Sequence, residues 1–194
     1  SGHALRMARC WEAKSALVIG AGPIGMGAVV TLKAFGVPEV YASEIAPYRR
    51  KMAGTFGAVP IDPSSEDLAE RIRRDHRYGV DLVVEAVGSW PTIQSSMDLV
   101  RPGGIVNLVG EHWGRIDLER PKGAWMINDL TLIRSFYFPI AEFYENQQMI
   151  LDGTLDVEPI ASHTFALEEI DAAYARFSAG EALKVLVKPS ARQR

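Results

Sequence analysis

Cysteine is almost absent from this 194-residue chain, where Cys10 stands alone. A single thiol excludes a disulfide framework and a multi-cysteine zinc site, and it points to a reducing, cytoplasmic compartment. An excess of one charge is lacking as well. Lys and Arg number 21 against 24 Asp and Glu, a net charge of −3, so nothing electrostatic invites nucleic acid or an anionic membrane surface. The four histidines, His3, His76, His112 and His163, are scattered without metal-site spacing. No apolar run of spanning length is intact. The charge-free stretch 15–32 is cut by Gly20, Gly22, Pro23, Gly25 and Gly27, so a membrane span is not expected. Residues 1–11 carry Arg6 and Arg9 and no apolar core, which argues against a secretory signal.

What remains is the composition of a soluble globular protein, 47% hydrophobic and 23% charged. Its patterning alternates strand-like and helix-like segments, the signature of an α/β domain with a parallel sheet. Strands are predicted at 16–19, 40–43, 80–87 and 105–109, with a weak one at 59–61. Helices are predicted at 23–35, 47–56, 64–76 (with Ser64 or Ser65 as N-cap), 91–100 and 140–151. Pro102-Gly103-Gly104 reads as the break after the fourth of these helices, residues 111–124 as a polar loop, and 130–138 as a strand-like run rich in β-branched and aromatic residues. The tail reads as strands at 160–165 and 183–187 around a helix at 167–177. A seam at 151–158 divides the chain into a lead-in (1–14), a main domain (15–152) and a C-terminal segment (153–194).

The most informative segment is Gly20-Ala21-Gly22-Pro23-Ile24-Gly25, a G-x-G-x-x-G that follows a strand and opens a helix. Gly20 allows the tight turn, Gly22 lets a pyrophosphate approach the backbone, and Gly25 lets the helix pack on the strand. The free N–H groups at that helix start, from Ile24 onward because Pro23 has none, then attract phosphate. Glu44 closes the second strand at close to the roughly 20-residue separation expected of a ribose-binding carboxylate. A carboxylate there favours NAD over NADP, although Arg49 and Arg50 stand nearby to receive a 2′-phosphate. A methyltransferase is the nearest rival; Ile24 occupies the place of its third glycine, and Glu85-Ala86-Val87-Gly88 is not its strand-end motif. Glu85 is either a site residue or a hydrogen-bonded strand-end carboxylate, and Cys10 is a small packed side chain.

Those motifs, together with Gly103-Gly104-Ile105-Val106-Asn107-Leu108-Val109-Gly110, the run 165–174 and the run 180–185, make the chain resemble the cofactor-binding half of the medium-chain, zinc-type alcohol dehydrogenases. The resemblance implies a Rossmann-type doubly wound parallel sheet, with a tail that belongs to the family's catalytic domain. It implies that Glu44 holds the adenosine ribose with Arg49 beside it, and that Gly20, Gly22, Pro23, Ile24 and Gly25 meet the pyrophosphate. Val87 would line the cofactor cleft, while Val109, Gly110, Glu111 and Ser135 would border the nicotinamide amide next to Arg134. Lys184 would reach the cofactor phosphates, and His163 would be non-catalytic. The resemblance also implies NAD(H), a small alcohol or polyol substrate, zinc only in a catalytic domain outside this chain, and a homodimer through 130–138. The chain by itself is expected to bind cofactor without oxidising an alcohol. The alternative is an autonomous, non-catalytic dinucleotide-binding sensor.

Overall fold

The computed structural model describes residues 1–115 and 129–189. A short helix α1 (Gly2–Met7) leads into β1 (Ser15–Ile19), α2 (Pro23–Ala34), β2 (Glu39–Ser43), α3 (Pro47–Thr55), β3 (Val59–Ile61) and α4 (Leu68–Asp75). Then come β4 (Val80–Glu85), α5 (Trp90–Leu99), β5 (Val100–Leu108), β6 (Thr131–Arg134) and α6 (Ile140–Leu151). The tail holds β7 (His163–Ala166), α7 (Ile170–Ser178) and β8 (Val185–Lys188). Six strands form one sheet in the order β3-β2-β1-β4-β5-β6, every pair parallel. That is the doubly wound order with its switch point between β1 and β4.

The two faces of β1 show why the sheet is covered on both sides. Ala16 and Val18 join a core with Met26, Val29 and Leu32 of α2 and Ala53 of α3. Leu17 and Ile19, alternating with them, pack with Ile72 of α4 and with Ile93, Met97 and Leu99 of α5. Leu5, Ala8 and Cys10 belong to the first of these cores, as does Leu183 from the tail. The lead-in and the tail therefore both lean on the same sheet face. Burial pushes the Cys10 thiol up to about 11, which leaves it an inert packed group at neutral pH.

Two polar ties register the sheet. Asn107, fully buried on β5, donates to the Ala4 carbonyl at 2.6 Å and accepts from the Ser135 hydroxyl at 3.0 Å. At the opposite end, the Asp81 carboxylate accepts from the N–H groups of Lys14 and Ser15 at 2.8 and 3.0 Å and pairs with Arg101. Burial works against the Asp81 charge, but the Arg101 bond and the two N–H groups outweigh it and hold its pKa below the ordinary value.

Several boundaries differ from the sequence expectation. The helix expected at 64–76, α4, begins at Leu68, capped by Asp67, whose side chain accepts from the Glu70 N–H. Ser64 and Ser65 are instead drawn into a turn around Asp62, whose carboxylate accepts from the Ser64 N–H and whose carbonyl accepts from the Ser65 N–H. Strand β5 starts at Val100, and Pro102-Gly103-Gly104 forms a bulge inside it, since Val80 pairs with Val100 but Leu82 with Ile105. The edge strand is shorter than 130–138. Residues 105–108 of β5 offer it four partners, and Phe136, Tyr137 and Phe138 run out into solvent. The predicted 111–124 loop is described only to residue 115, and its remainder lies outside the described residues.

Leu32→Ala is expected to cost about 2–5 kcal/mol, as large-to-small changes do in closed cores, read from urea unfolding midpoints. Asp81→Asn is expected to destabilise the chain at pH 7. Because the folded carboxyl has a lowered pKa, its stabilisation is complete above the ordinary value of 3.8. It fades as pH falls through the folded value, so the difference from the unmutated chain should close in acid.

Candidate functional site

The carboxyl ends of the central strands carry their ladder onward into three turns. Gly20 N–H donates to Ser43 O at 2.8 Å, Ala86 N–H to Ile19 O at 2.9 Å, and Val109 and Gly110 N–H both to Glu85 O at 2.8 Å. The three glycines of the first turn each have a different reason to be glycine. Gly20 has φ +87°, and a β-carbon there would stand 2.6 Å from the Val87 side chain. Gly25 lies under the sheet turn, so its β-carbon would be 1.7 Å from the Gly20 carbonyl oxygen. Gly22 faces open space, and a β-carbon there would find only Arg49 Nη1, at 4.0 Å. No side chain caps the start of α2, where Pro23 is the first residue, so its first-turn N–H groups are unclaimed by a cap.

Glu44 ties this turn to the end of β2. It is 7% exposed. One carboxylate oxygen accepts from Ala21 N–H at 2.8 Å and the other from Ala46 N–H at 2.9 Å. Each oxygen keeps a second lone pair for a hydroxyl donor. The cleft between these turns has a volume of about 550 Å³. Gly20, Gly22, Glu44, Arg49 and Val87 line it together. Two exposed aliphatics, Ile45 and Val87, also border it, as do Leu68 and Pro91.

The remaining sequence candidates divide. Pro23, Ile24 and Gly25 form the first turn of α2 beside the cleft. Val109 and Gly110 continue β5 across from Glu85, and Gly110 is packed so that a β-carbon would meet Gly88 N at 2.3 Å. Glu111 follows in the exposed loop, its backbone against Gly88. Ser135 is buried and donates its N–H to Leu108 O, while Arg134 reaches the Gly110 carbonyl. Lys184 is not brought to this cleft; it lines a separate cavity with Ile170, Tyr174 and Phe177. Arg50 is spent on the carbonyls of Glu44 and Ile45 and on Asp62, 2.8 Å away. Among the described residues, no three His, Cys, Asp or Glu side chains gather as a metal site, and no helix is long and apolar enough to cross a membrane.

Glu85 takes the strand-end reading, with more detail than the sequence held. It is fully buried. Its Oε1 accepts from Val87 and Gly88 N–H, both at 2.9 Å, and from the Thr92 hydroxyl at 2.8 Å. His112 holds the other side of the same turn. A carbonyl only accepts, so His112 Nδ1 donates to Gly88 O at 3.0 Å. Thr92 and His112 carry no site signal in the sequence, because the first turn of α5 and the loop after β5 meet at this turn only once the sheet is ordered.

Comparison with known proteins follows the same outline. A family model described as zinc-binding dehydrogenase matches residues 23–152. The chain is 27% identical over 191 residues to D-xylulose reductase A from Aspergillus oryzae, covering 95% of this chain and 53% of that protein. Among solved structures, alcohol dehydrogenase TADH from Thermus sp. ATN1 is 32% identical with a TM-score of 0.87, over 96% of this chain and 54% of that one. A Sinorhizobium meliloti 1021 chain solved bound to NADP is 25% identical with a TM-score of 0.83, over 96% and 56%. The chain thus spans about half the length of the curated relatives it matches.

The glycine geometry makes its own prediction. Gly25→Ala should lower the melting temperature by several degrees, since its β-carbon meets backbone. Gly22→Ala should melt close to the unmutated chain, since its β-carbon enters open cleft. Differential scanning calorimetry of the two variants checks this.

Proposed function

The chain belongs to the zinc-binding dehydrogenase family, and we propose that it forms the cofactor-binding half of a zinc-type alcohol or polyol dehydrogenase that prefers NAD. One observation carries the reading: the open face of Gly22 and the carboxylate of Glu44 line one cleft at the switch point of a 3-2-1-4-5-6 sheet. The residues present fit a dinucleotide. Gly22 leaves room for a pyrophosphate where any β-carbon would intrude. Glu44 offers its spare lone pairs to two ribose hydroxyls, and Ile45, Leu68, Pro91 and Val87 supply apolar walls for a flat base. The preference for NAD is supported by the Glu44 charge, which repels a 2′-phosphate, and by the engagement of Arg50 with Asp62.

In this reading a nicotinamide held in the crevice would supply hydride-transfer chemistry toward a carbinol carbon. This chain's residues hold and orient it: Glu85 and His112 stiffen the turn at Val87-Gly88, and Val109, Gly110, Glu111 and Ser135 border the second half of the crevice. Zinc and the pocket for a small alcohol or polyol belong to the parent enzyme's catalytic lobe. The tail supports that assignment. Strands β7 and β8 form an isolated parallel pair, too small to be stable alone, and Leu167, Tyr174 and Leu186 around it are exposed. Residues 153–194 are then the segment that completes that lobe. Pairing of two chains along 130–138 in a cytoplasmic homodimer is supported by the position of β6 at the sheet's free edge.

Fluorescence titration tests the reading. The chain should bind NADH saturably and more tightly than NADPH, and Glu44→Ala should weaken NADH by about tenfold, the worth of one charge-assisted hydrogen bond. NADPH binding equal to or tighter than NADH would overturn the NAD preference. Sedimentation equilibrium should return the mass of two chains.

A further inference from the structure

A fully buried amide stands in the sheet where an apolar side chain is the ordinary choice. Asn107 of β5 lies between Val84 of β4 and Ile133 of β6, on the same face as Ile105, which packs against the first core. An amide buried there is tolerated when its polar atoms are paired. Its partners come from opposite ends of the domain's sequence. The Ala4 carbonyl can only accept, so it fixes Nδ2 toward α1 at 2.6 Å. Oδ1 is left to accept from the Ser135 hydroxyl at 3.0 Å. Ser135 also donates its N–H to Leu108 O at 3.2 Å, immediately before the Val109-Gly110 turn.

Helix α1 is held from another side by charge. The Glu142 carboxylate of α6 accepts from His3 Nδ1 at 2.9 Å, and its other oxygen faces Arg6 Nη1 at 3.7 Å. Arg6 also faces Glu145 at 3.4 Å and lies over the Phe35 ring, 5.5 Å from its centroid. The side chains of Arg6 and Glu142 are 17% and 15% exposed, so salt screens their attraction weakly. None of the residues of α6 is fully buried, and these contacts join it to α1. One short helix therefore touches the crevice end of β5 through a carbonyl and α6 through two side chains.

We propose that α1 is a coupling element, and that Asn107 is the positioning residue through which it acts. Asn107 makes the crevice border formed by Leu108, Val109, Gly110 and Ser135 depend on the docking of α1, and the Glu142 network makes α6 follow α1. This rests on the dinucleotide reading above and deepens it. The nicotinamide end of the crevice senses the lead-in, whereas the adenosine end at Gly22 and Glu44 does not. Undocking α1 would leave a buried amide donor unpaired, so partial release is disfavoured and the element has two states. Binding at the nicotinamide end and docking of α1 then strengthen each other by the same factor.

Titrations with NADH and with ADP-ribose, which lacks the nicotinamide, separate the two ends. Arg6 does not line the cleft, yet Arg6→Met should weaken NADH by about fivefold, the low end of coupling between sites, and leave ADP-ribose unchanged. Glu142→Gln, which keeps the side-chain shape, should act in the same direction. In an Asn107→Leu background Arg6→Met should no longer alter NADH binding, because the tie that carries its effect is gone. Ser135→Ala cuts only the crevice half of that tie; it should abolish the same response, and it serves where Asn107→Leu fails to fold. NADH, but not ADP-ribose, should slow hydrogen exchange in residues 2–7 and 140–151 of the unmutated chain. The inference falls if Arg6→Met and Glu142→Gln leave NADH binding intact, or if ADP-ribose weakens in step with NADH. It falls equally if the Arg6→Met effect persists in the Asn107→Leu or Ser135→Ala background. If the unmutated chain binds neither NADH nor ADP-ribose, the dinucleotide reading itself fails and takes this inference with it, a failure recognisable because it needs no mutation.

Discussion

Helix α2 approaches β1 so closely that a β-carbon on Gly25 would stand 1.7 Å from the Gly20 carbonyl oxygen, and the crevice above the sheet depends on that contact. It sets the angle at which the helix leaves the sheet, and hence where its unpaired N–H groups face. It also leaves Gly22 at the lip, exposed to open space. The neighbouring turn obeys the same rule: Val87 occupies the volume a Gly20 side chain would need, and Gly110 leaves room for Gly88 and Glu85. The turns after β1, β4 and β5 thus interlock through absent side chains, with two carboxylates, Glu44 and Glu85, fastening them by backbone N–H groups. Carboxylates suit that task because they accept strongly and carry no donor that would itself need a partner.

Around this crevice the chain uses polar ties where a doubly covered sheet would otherwise slide. Asn107 links β5 to α1 and to Ser135, and Asp81 links β4 to the start of β1. The tail is drawn in by a mixture of both devices. Leu183 fills the core, while Arg49 gathers two tail carbonyls and an aromatic face. A segment whose outer surface is apolar and uncovered is, on its inner side, packed into the core and bonded to Arg49. The match to about half the length of related dehydrogenases gives that two-sidedness a natural context.

Much of the fold was legible because local and global preferences agree. Strand β1 and helices α2, α3 and α6 lie within a residue of their expected bounds, since proline starts, glycine stops and apolar runs mark them redundantly. The misread places are those where a long-range partner decides. Ser64 and Ser65 look like helix caps, but Asp62 claims both, and Asp67 caps instead. Pro102-Gly103-Gly104 looks like a loop, but β4 offers Val80 and Leu82 as partners on either side of it, and a bulge satisfies both.

The sequence by itself determined the strand–turn–helix with its three glycines, the acidic end of β2 and the βα alternation that orders the sheet. Each is a property of neighbours in the chain, set by steric demands and hydrogen-bonding capacity that do not wait for tertiary contacts. Tertiary structure alone decided which basic residue faces the glycine turn, that Glu85 is fully buried, and that His112 braces the turn beside it. Those depend on distances between loops remote in sequence, which only the ordered sheet brings within hydrogen-bonding reach. Arg49 shows the division most clearly: its charge is written in the chain, but its direction is imposed by Phe177 and Ala182, residues 128 and 133 positions further along the sequence.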